Sequence, residues 1–218
     1  ENNEAIKNKE SLFLITEAAN KFFQQQLHQT EEGISIGLSY FKERGFTKQI
    51  IEKFQLGYSP SAWDAFANFA EEKGYAKNII EQSGLVIYKE DKKFDRFRER
   101  VIFPIFSYSG RTLGFGGRVL RNDRKNAAKY LNSPENEIYH KSKVLYGLYQ
   151  SKQSIIRQNQ CLLVEGYTDV LALHQAGIEN VVSSSGTALT KEQILLIKRL
   201  TPNITILYDG DAAGIKAS

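Results

Sequence analysis

The feature that most restricts the fold of this chain is an alternation of short apolar and longer amphipathic segments from residue 161 onward. Three apolar runs occur in order, CLLVE, ENVVSSSG and NITILYD, and two segments with helical periodicity lie between them, YTDVLALHQAG and TKEQILLIKRL. Continuous apolar strands separated by amphipathic helices are typical of a parallel sheet covered by helices. The alternation therefore predicts an α/β unit at 143–218.

The preceding part of the chain has helical patterns first and strand patterns afterwards. A polar tail at 1–11 is followed by helical signals at residues 16–29, 33–45, 47–54, 61–74 and 75–84. Strand patterns then appear in LVIYKE, RVIFPIFSY and TLGFGGRVL, and Ser109-Gly110-Arg111 is typical of a hairpin turn between the last two. We therefore expect a mixed α+β subdomain at 12–142, and an α/β class for the whole chain.

Several polar residues lie where helices are expected to begin. Thr47 and Ser61 precede helical patterns and are predicted N-caps, with Asp64 completing a capping box beside Ser61. The segment Ser185 to Thr187 precedes TKEQILLIKRL, where it would either cap that helix or bind a phosphate through the helix amides. Both roles remain open for this serine-rich segment.

Positive charge is concentrated in the middle of the chain. Residues 1–91 have a net charge of −4, residues 92–143 have +8, and residues 144–218 are neutral. We call residues 92–143 the basic block. Such a block is typical of a surface that binds a polyanion, provided that its residues share one face. A solvated surface neutralised by counterions is the alternative.

Two motifs in the basic block have both a structural and a functional explanation. Gly116 and Gly117 in GFGGR would permit the close approach of a phosphate, or else form a glycine bulge in a curved strand. Tyr130, next to Lys129, would stack on a base or pack against protein. The sequence alone does not decide between these roles.

Strand alternation in DRFRER predicts a charged outer face with one aromatic residue turned inward. In a strand, Arg96, Arg98 and Arg100 would point to one side and Phe97 to the other. Phe97 is therefore expected in the core rather than against a base. Trp63 is also expected in the core.

Cysteine and histidine usage excludes several kinds of site. Cys161 is the only cysteine and lies within an apolar run, so the chain forms no internal disulfide and no zinc site from cysteines. The three histidines have no metal-ligand spacing. No apolar stretch approaches the ~20 residues that span a bilayer, and the polar start is unlike a signal peptide. We expect a cytoplasmic protein with no membrane partner.

Acidic residues end two of the apolar runs. Glu165 closes CLLVE, Asp209 closes NITILYD, and Asp211 follows Gly210, which permits a tight turn. Because the carboxyl ends of parallel strands meet at one edge of a sheet, we expect the three carboxylates to lie close together. Their mutual repulsion would require a cation, and Mg²⁺ prefers such oxygen ligands.

The acidic residues also have purely structural explanations. Asp-Gly-Asp is a common surface turn, and Glu165 would then only mark the exit of a strand. Asp169, in the first turn of the next predicted helix, is either a further metal ligand or second-sphere partner, or a carboxylate that interacts with the helix dipole. The occurrence of acids at equivalent ends of two strands favours a metal site.

The same segments resemble a known family. LLVEGYTDVLALHQAGIENVVSSSGTALT followed by LYDGDAAG resembles the TOPRIM domain, which bacterial primases, topoisomerases and some nucleases share. Upstream, YFKERGFTKQIIEKFQLGYSP, FDRFRERVIFPIFSYSGRTLGFGGRVL and KYLNSPENEIYHKSKVLYGLY resemble the segment that precedes TOPRIM in DnaG-type DNA primases. The resemblance extends over residues 12–214, in order.

This resemblance implies a function and a set of site residues. Primases of this type synthesise short RNA primers on a single-stranded DNA template from ribonucleoside triphosphates, using Mg²⁺ or Mn²⁺ at the TOPRIM acids. By position, the catalytic and metal-binding acids are Glu165, Asp209 and Asp211, with Asp169 as a further candidate. The residues implied along the template and the incoming nucleotide are Arg96, Arg98, Arg118, Lys129, Tyr130 and Lys141.

The resemblance also implies parts that this sequence does not contain. The family has an N-terminal zinc-binding module, the only place where zinc is expected, and a C-terminal domain that binds the replicative helicase. The family places a further acidic pair on a later strand, which would lie beyond residue 218, and the sequence stops about one turn into a predicted helix. We therefore expect a fragment of the TOPRIM domain with little or no primer synthesis by itself, in a replisome-associated protein.

Two other functions would use the same features. A TOPRIM nuclease or topoisomerase-like enzyme would use the acids to cleave a phosphodiester, although KYLNSPE favours the primase. A non-catalytic module that binds single-stranded DNA would need only the basic block.

Overall fold

The fold is described from a computed structural model, which describes residues 2–120, 128–186 and 188–208. Packing divides the chain into two units. The first comprises the chain up to Gly45, Gln55–Pro104 and Arg111–His140, and the second comprises Phe46–Phe54, Ile105–Gly110 and the chain from Lys141 onward. The sequence suggests one boundary near residue 142, and such a boundary does not account for the two earlier segments that belong to the second unit. Among the described residues, no helix has the length and apolar character of a membrane span.

The first unit begins with a long helix, α1 (Asn2–Gln29). The residues expected to form a polar tail are therefore helical from Asn2 onward. Asn8 donates a hydrogen bond to Gln82 (3.0 Å), and Glu10 pairs with Arg111 (2.8 Å), so two contacts outside the helix support this polar end.

The later helices of the first unit are short. A π-helix (Gly33–Leu38) leads into α2 (Ser39–Glu43), and α4 (Ala65–Glu72) and α5 (Lys77–Gln82) follow. Helix α3 (Lys48–Lys53) belongs to the second unit. All five helical signals predicted for this part of the chain therefore correspond to helices.

Two antiparallel sheets complete the first unit. The larger has the strand order β1-β4-β5-β6 and consists of β1 (Gly57–Ser59), β4 (Arg100–Phe106), β5 (Thr112–Val119) and β6 (Tyr130–Asn132). Strands β2 (Val86–Lys89) and β3 (Lys92–Asp95) form a separate hairpin. The expected turn between β4 and β5 contains Gly110 at φ 92°, and the Gly110 N–H donates to the Ser107 carbonyl (3.0 Å).

Phenylalanine rings form the core of the first unit. Phe23 of α1 meets Phe115 of β5 edge-on at 5.3 Å between ring centroids, and Phe22 meets Phe66 of α4 at 5.5 Å. Phe97 lies 6.2 Å from Phe115. Edge-to-face packing of aromatic rings is favourable beyond the burial of their area. The prediction that Phe97 packs in the core is confirmed, since only 1% of it is exposed.

The second unit contains the predicted parallel sheet. Strand β7 (Cys161–Val164) lies between β8 (Val181–Ser183) and β9 (Ile204–Ile206), and both pairs are parallel. Helices α7 (Tyr167–Gln175) and α8 (Lys191–Lys198) connect the strands. A 3₁₀ helix (Lys141–Lys143) and α6 (Leu148–Gln158) precede β7. Cys161 is buried, as expected, and burial raises the pKa of its thiol to about 12.

Helix caps in the second unit agree only in part with the sequence. Thr47 caps α3 by accepting a hydrogen bond from the Ile50 N–H (3.4 Å). Helix α8 is capped by Thr190, which exchanges hydrogen bonds with Gln193 (3.0 and 3.1 Å) in a capping box. The expectation that Ser185 to Thr187 caps this helix is therefore wrong. The Ser185 N–H instead donates to the Ser183 hydroxyl (2.9 Å), and Thr187 lies outside the described residues.

The predicted capping box at Ser61 and Asp64 is wrong because a distant residue caps α4. The Asp95 carboxylate accepts hydrogen bonds from the N–H groups of Phe66 (2.7 Å) and Ala67 (3.0 Å). Burial raises the pKa of Asp95 from 3.8 to about 6, although these two bonds act in the opposite direction. The start of α4 is thus fixed by a side chain at the end of β3.

A buried serine and histidine join α6 and α7. Ser151 donates to the Val181 carbonyl (2.6 Å), so in its contact with His174 Nε2 (2.9 Å) the ring nitrogen is the donor. His174 Nδ1 is then an unprotonated acceptor, buried and without a hydrogen-bond partner among the described residues. Burial, followed by the Lys53 charge, lowers the pKa of His174 from 6.5 to about 4.

We predict that substituting Gly117 by alanine destabilises the first unit. An added Cβ would lie 2.6 Å from a ring carbon of Phe97, so the buried ring would have to move. Overpacking of this kind costs about 1–3 kcal/mol, measurable as a lower urea midpoint with an unchanged slope. The double variant Gly117→Ala/Phe97→Leu should lose less free energy of unfolding than the two single variants lose together, because leucine relieves the clash. Strict additivity would contradict a packing role for Gly117.

We also predict that His174 makes the second unit sensitive to acid. Its folded pKa lies below its ordinary value, so the folded state binds fewer protons, and the free energy of unfolding falls as the pH drops from about 6.5 to 4. The shift corresponds to a loss on the order of 2–3 kcal/mol. Urea unfolding followed by circular dichroism between these pH values should show a shallower decline for His174→Gln. Parallel profiles for the two proteins would count against this assignment.

Candidate functional site

The carboxyl edge of the parallel sheet opens on a groove that Glu165 lines. Glu165 directly follows β7 and is half-buried. Its main-chain carbonyl accepts a hydrogen bond from the Ser183 hydroxyl (2.7 Å), which ties the exit of β7 to the end of β8. The groove has a volume of about 330 Å³, and Asp169 and Leu207 also line it. Glu165 therefore lies at the end of the central strand.

Residues that follow the three parallel strands meet at this edge. Ser184 directly follows β8, and Tyr208 lies two residues after β9. Burial raises the pKa of the Tyr208 phenol, a hydrogen bond with Ser184 lowers it, and the charge of Glu165 raises it again. These interactions bring Glu165, Ser184 and Tyr208 together. Asp209 and Asp211 follow Tyr208 in the sequence but lie outside the described residues.

Asp169 has a structural partner at the start of α7. Its Oδ2 accepts a hydrogen bond from the Gly166 N–H (2.9 Å), and the side chain is exposed. A carboxylate in this position satisfies an unpaired helix N–H and interacts favourably with the helix dipole. The contact accounts for an acid at position 169 without a ligand.

The chemistry of the described groups fits a hard divalent cation, although they do not complete its site. Within residues 2–120, 128–186 and 188–208, no group of three His, Cys, Asp or Glu side chains could hold a metal ion. Glu165 supplies one carboxylate at the groove, and Mg²⁺ is commonly held by one or two carboxylates together with water and substrate phosphate. Further ligands would have to come from the segment that contains Asp209 and Asp211.

Of the arginines of DRFRER, Arg96 and Arg98 lie in turns and Arg100 begins β4, so the expected charged strand face is wrong. Residues 96–99 form turns between β3 and β4. Half-buried Arg96 donates from Nε to the Gly84 carbonyl (2.5 Å), and burial lowers the pKa of its guanidinium. Arg100 is 7% exposed and donates to the carbonyls of Gly117, Ala128 and Lys129 (3.2, 2.9 and 3.3 Å). These two guanidiniums bind main-chain groups.

Arg98 also binds a main-chain carbonyl, and an exposed tryptophan lies beside it. Its Nη1 donates to the Ser61 carbonyl (3.1 Å), and its Cζ lies 3.7 Å from the centroid of a Trp63 ring. Trp63 is 60% exposed, so the expectation that it packs in the core is wrong. Arg98 covers the indole, which is partly why an exposed tryptophan is tolerated here.

Three of the predicted binding residues lie together on β5 and at the start of β6, with Lys129 directly before that strand. Arg118 is directly opposite Tyr130 in the antiparallel pair, with Cζ 5.9 Å from the tyrosine ring centroid. Lys129 is exposed, and Tyr130 is 40% exposed. Lys141 lies in the 3₁₀ helix of the second unit, where its carbonyl accepts a hydrogen bond from Gln193 (3.3 Å).

Two residues that the sequence did not single out, Tyr40 and Arg44, belong to the same group of contacts as Arg118. The Arg118 Cζ is 4.9 Å from the Tyr40 ring centroid, and the Arg44 Cζ is 4.7 Å from it. Both residues lie in or just after α2, outside the basic block. The spacing of four residues between Tyr40 and Arg44 predicts a pair of side chains on one helix face. It does not predict that either side chain contacts a residue of β5.

Two family models match the chain. The model described as DNA primase catalytic core, N-terminal domain, matches residues 22–152, which is more than half of the chain. The model described as Toprim-like matches residues 162–218.

Curated relatives are DNA primases. That of Halalkalibacterium halodurans is 45% identical over 214 residues, covering 97% of this chain and 35% of the relative. That of Escherichia coli K12 is 41% identical over 211 residues, covering 96% of this chain and 36% of the relative. The chain thus spans about a third of the length of the curated relatives it matches.

Solved structures of similar fold are primase catalytic domains. The RNA polymerase domain of Mycobacterium tuberculosis primase DnaG has a TM-score of 0.88 at 36% identity, over 94% of this chain and 68% of that one. A DnaG primase catalytic domain bound to single-stranded DNA has a TM-score of 0.85 at 40% identity, over 97% and 65%. Aquifex aeolicus primase, with zinc-binding and RNA polymerase domains, has a TM-score of 0.87 at 36% identity, over 96% and 50%. The chain therefore belongs to the DnaG-type DNA primase family, whose catalytic core contains the TOPRIM domain.

Proposed function

We propose that this chain is part of a primase catalytic core that synthesises short RNA primers on single-stranded DNA. Residues 12–142 are the N-terminal subdomain of that core, and residues 143–218 are the first part of its TOPRIM domain. The observation that carries the proposal is the meeting of Glu165, Ser184 and Tyr208 at one edge of a parallel sheet, directly before Asp209 and Asp211, in a member of the primase family.

The proposed catalytic groups are Glu165, Asp209 and Asp211. Primer extension joins a 3′ hydroxyl to the α-phosphate of a nucleoside triphosphate and releases pyrophosphate. Mg²⁺ or Mn²⁺ held by these acids would activate the hydroxyl and stabilise the charge that develops on the leaving pyrophosphate. The bond between the Glu165 carbonyl and Ser183 holds the backbone of Glu165 in place, which limits the reorganisation that its carboxylate undergoes. Asp169 supports the site mainly by fixing the start of α7.

The proposed nucleic-acid-binding residues are Arg118, Lys129, Tyr130, Arg96 and Arg98 of the first unit, and Lys141 of the second. Exposed Lys129 supplies a charge for a backbone phosphate, and the exposed ring of Tyr130 offers a face on which a base can stack. Arg96 and Arg98 already bind carbonyls, so their contribution to a polyanion is mainly long-range charge.

Single-stranded DNA is the proposed template and ribonucleoside triphosphates are the proposed substrates. The similarity to a primase domain bound to single-stranded DNA supports the choice of template. The Aquifex aeolicus structure, which has a zinc-binding domain beside the RNA polymerase domain, supports zinc as belonging to a separate module. We further propose a cytoplasmic location and association with the replicative helicase through a separate C-terminal domain.

We predict that Glu165→Gln reduces primer synthesis by about 100-fold or more, because a neutral amide is a poorer ligand and a poorer electrostatic partner. The assay measures RNA made on single-stranded DNA by E. coli primase that carries this chain in place of its own corresponding segment. Glu179→Gln is a matched control, because Glu179 precedes β8 at the opposite edge of the sheet. Shortening of the DNA would indicate a nuclease, and full activity of Glu165→Gln would indicate a non-catalytic module.

We also predict that Lys129→Ala weakens binding of single-stranded DNA and lowers the slope of log K against log salt by about one or less. Fluorescence anisotropy at several salt concentrations measures both quantities. Lys89→Ala removes the same charge from an exposed position on β2 and should leave the slope unchanged. Equal slopes for the wild type and Lys129→Ala would exclude a phosphate contact at Lys129.

A further inference from the structure

The arginines that the structure describes in the first unit divide into two groups according to whether their guanidiniums donate hydrogen bonds to carbonyls or carboxylates. Arg96, Arg98 and Arg100 donate hydrogen bonds to main-chain carbonyls, and Arg111 pairs with the carboxylates of Glu10 and Glu17. These side chains hold the fold together.

Arg44 and Arg118 form the second group. Each lies over the ring of Tyr40, with Cζ 4.7 and 4.9 Å from its centroid. Among the described residues, no carbonyl or carboxylate accepts a hydrogen bond from either guanidinium, and Arg118 also interacts with the Tyr40 hydroxyl. Arg118 Nε is buried and also has no hydrogen-bond partner within that part of the chain. A buried polar atom without a hydrogen-bond partner reduces stability, so the fold alone does not explain the position of Arg118.

The ring of Tyr40 is rigidly placed. The next residue, Phe41, is fully buried and meets Phe103 of β4 edge-on at 6.0 Å. Upstream, Gly37 of the π-helix packs so closely on the Tyr58 side chain that an added Cβ would lie 3.0 Å from it. Helix α2 is thus anchored on both sides of Tyr40.

Contact with a ring face leaves the hydrogen-bonding capacity of a guanidinium largely unused. The ring attracts the cation through its face, while the N–H donors lie in the guanidinium plane and match the oxygens of a phosphate. Each Cζ lies within 5 Å of the same ring centroid, so the two charges are less than 10 Å apart and an anion bound near both would relieve their repulsion. The arrangement is that of an anion-binding pair.

We propose that Tyr40 is a positioning residue that holds Arg44 and Arg118 ready to bind phosphate groups of the nucleic acid or of the incoming nucleotide. This proposal rests on the proposed function and adds to it a ring from α2 that organises the cations. Arg118 also lies against the exposed Tyr130, so a phosphate bound there would adjoin a surface for base stacking.

The test compares variants of Tyr40 in the 218-residue chain. Binding of a fluorescein-labelled oligodeoxythymidylate is followed by anisotropy at several salt concentrations, and ATP is added as a competitor. Tyr40→Phe keeps the ring and should bind within about twofold of the wild type. Tyr40→Leu should bind about 3- to 10-fold more weakly, with a lower salt slope, because the arginines lose their fixed position.

Two further variants separate positioning from a general effect on the fold. Tyr88→Leu removes a similar contact, in which Lys77 Nζ lies 4.8 Å from the ring centroid on the β2–β3 hairpin, and should not change binding. Arg118→Ala should weaken binding, and adding Tyr40→Leu to it should cause little further loss, since the two residues act together. Thermal unfolding identifies folded variants, and Tyr40→Met replaces Tyr40→Leu if the latter does not fold.

The outcomes distinguish this proposal from the proposed function. Salt-dependent DNA binding by the wild type, with equal DNA binding and equal competition by ATP in Tyr40→Leu, would overturn the role of Tyr40 alone. An equal loss in Tyr40→Phe and Tyr40→Leu would also overturn it, because the hydroxyl and not the ring would be responsible. No binding by the wild type would overturn both proposals. A change in competition by ATP, with unchanged DNA binding, would assign the pair to the incoming nucleotide.

Discussion

Strand β7 has a parallel neighbour on each side, and the geometry of the candidate site depends on this pairing. Because all three strands run in one direction, the chain leaves them at a single edge, where polar groups can converge without disturbing the apolar interior. The Leu207 N–H donates to the Leu163 carbonyl (2.8 Å), which extends the pairing beyond the last residue of β9. The chain therefore enters the segment with Asp209 and Asp211 from a point beside Glu165.

The first unit accommodates many positively charged side chains without losing its stability. Arginines whose donors reach carbonyls or carboxylates stabilise turns and strand ends, as Arg100 and Arg111 do. Arg98 and Arg111 also lie against aromatic rings, whereas Arg44 and Arg118 have a ring contact and no carbonyl or carboxylate partner among the described residues. The net charge of the basic block therefore overstates the positive charge that is available to a ligand.

Much of the second unit and of its candidate site was predictable from the sequence, and the reasons are local. Apolar runs of strand length, helical periodicity between them and Glu165 directly after β7 all follow from neighbouring residues. The errors come from contacts between residues far apart in sequence. Asp95 caps α4 from about 30 residues away, Arg98 covers Trp63, and a turn replaces the strand expected at 96–99. Tyr40 escaped notice for the same reason, because its partner Arg118 lies on another element.

Arg100 has a consequence for how this fold tolerates change. One guanidinium binds a carbonyl of β5 and two carbonyls directly before β6, so it reinforces the main-chain bond from the Val119 N–H to the Lys129 carbonyl (3.1 Å) that joins the two strand ends. Removal of this guanidinium would therefore loosen the place where β5 and β6 meet, and Lys129 and Tyr130 would lose part of the support that fixes their position.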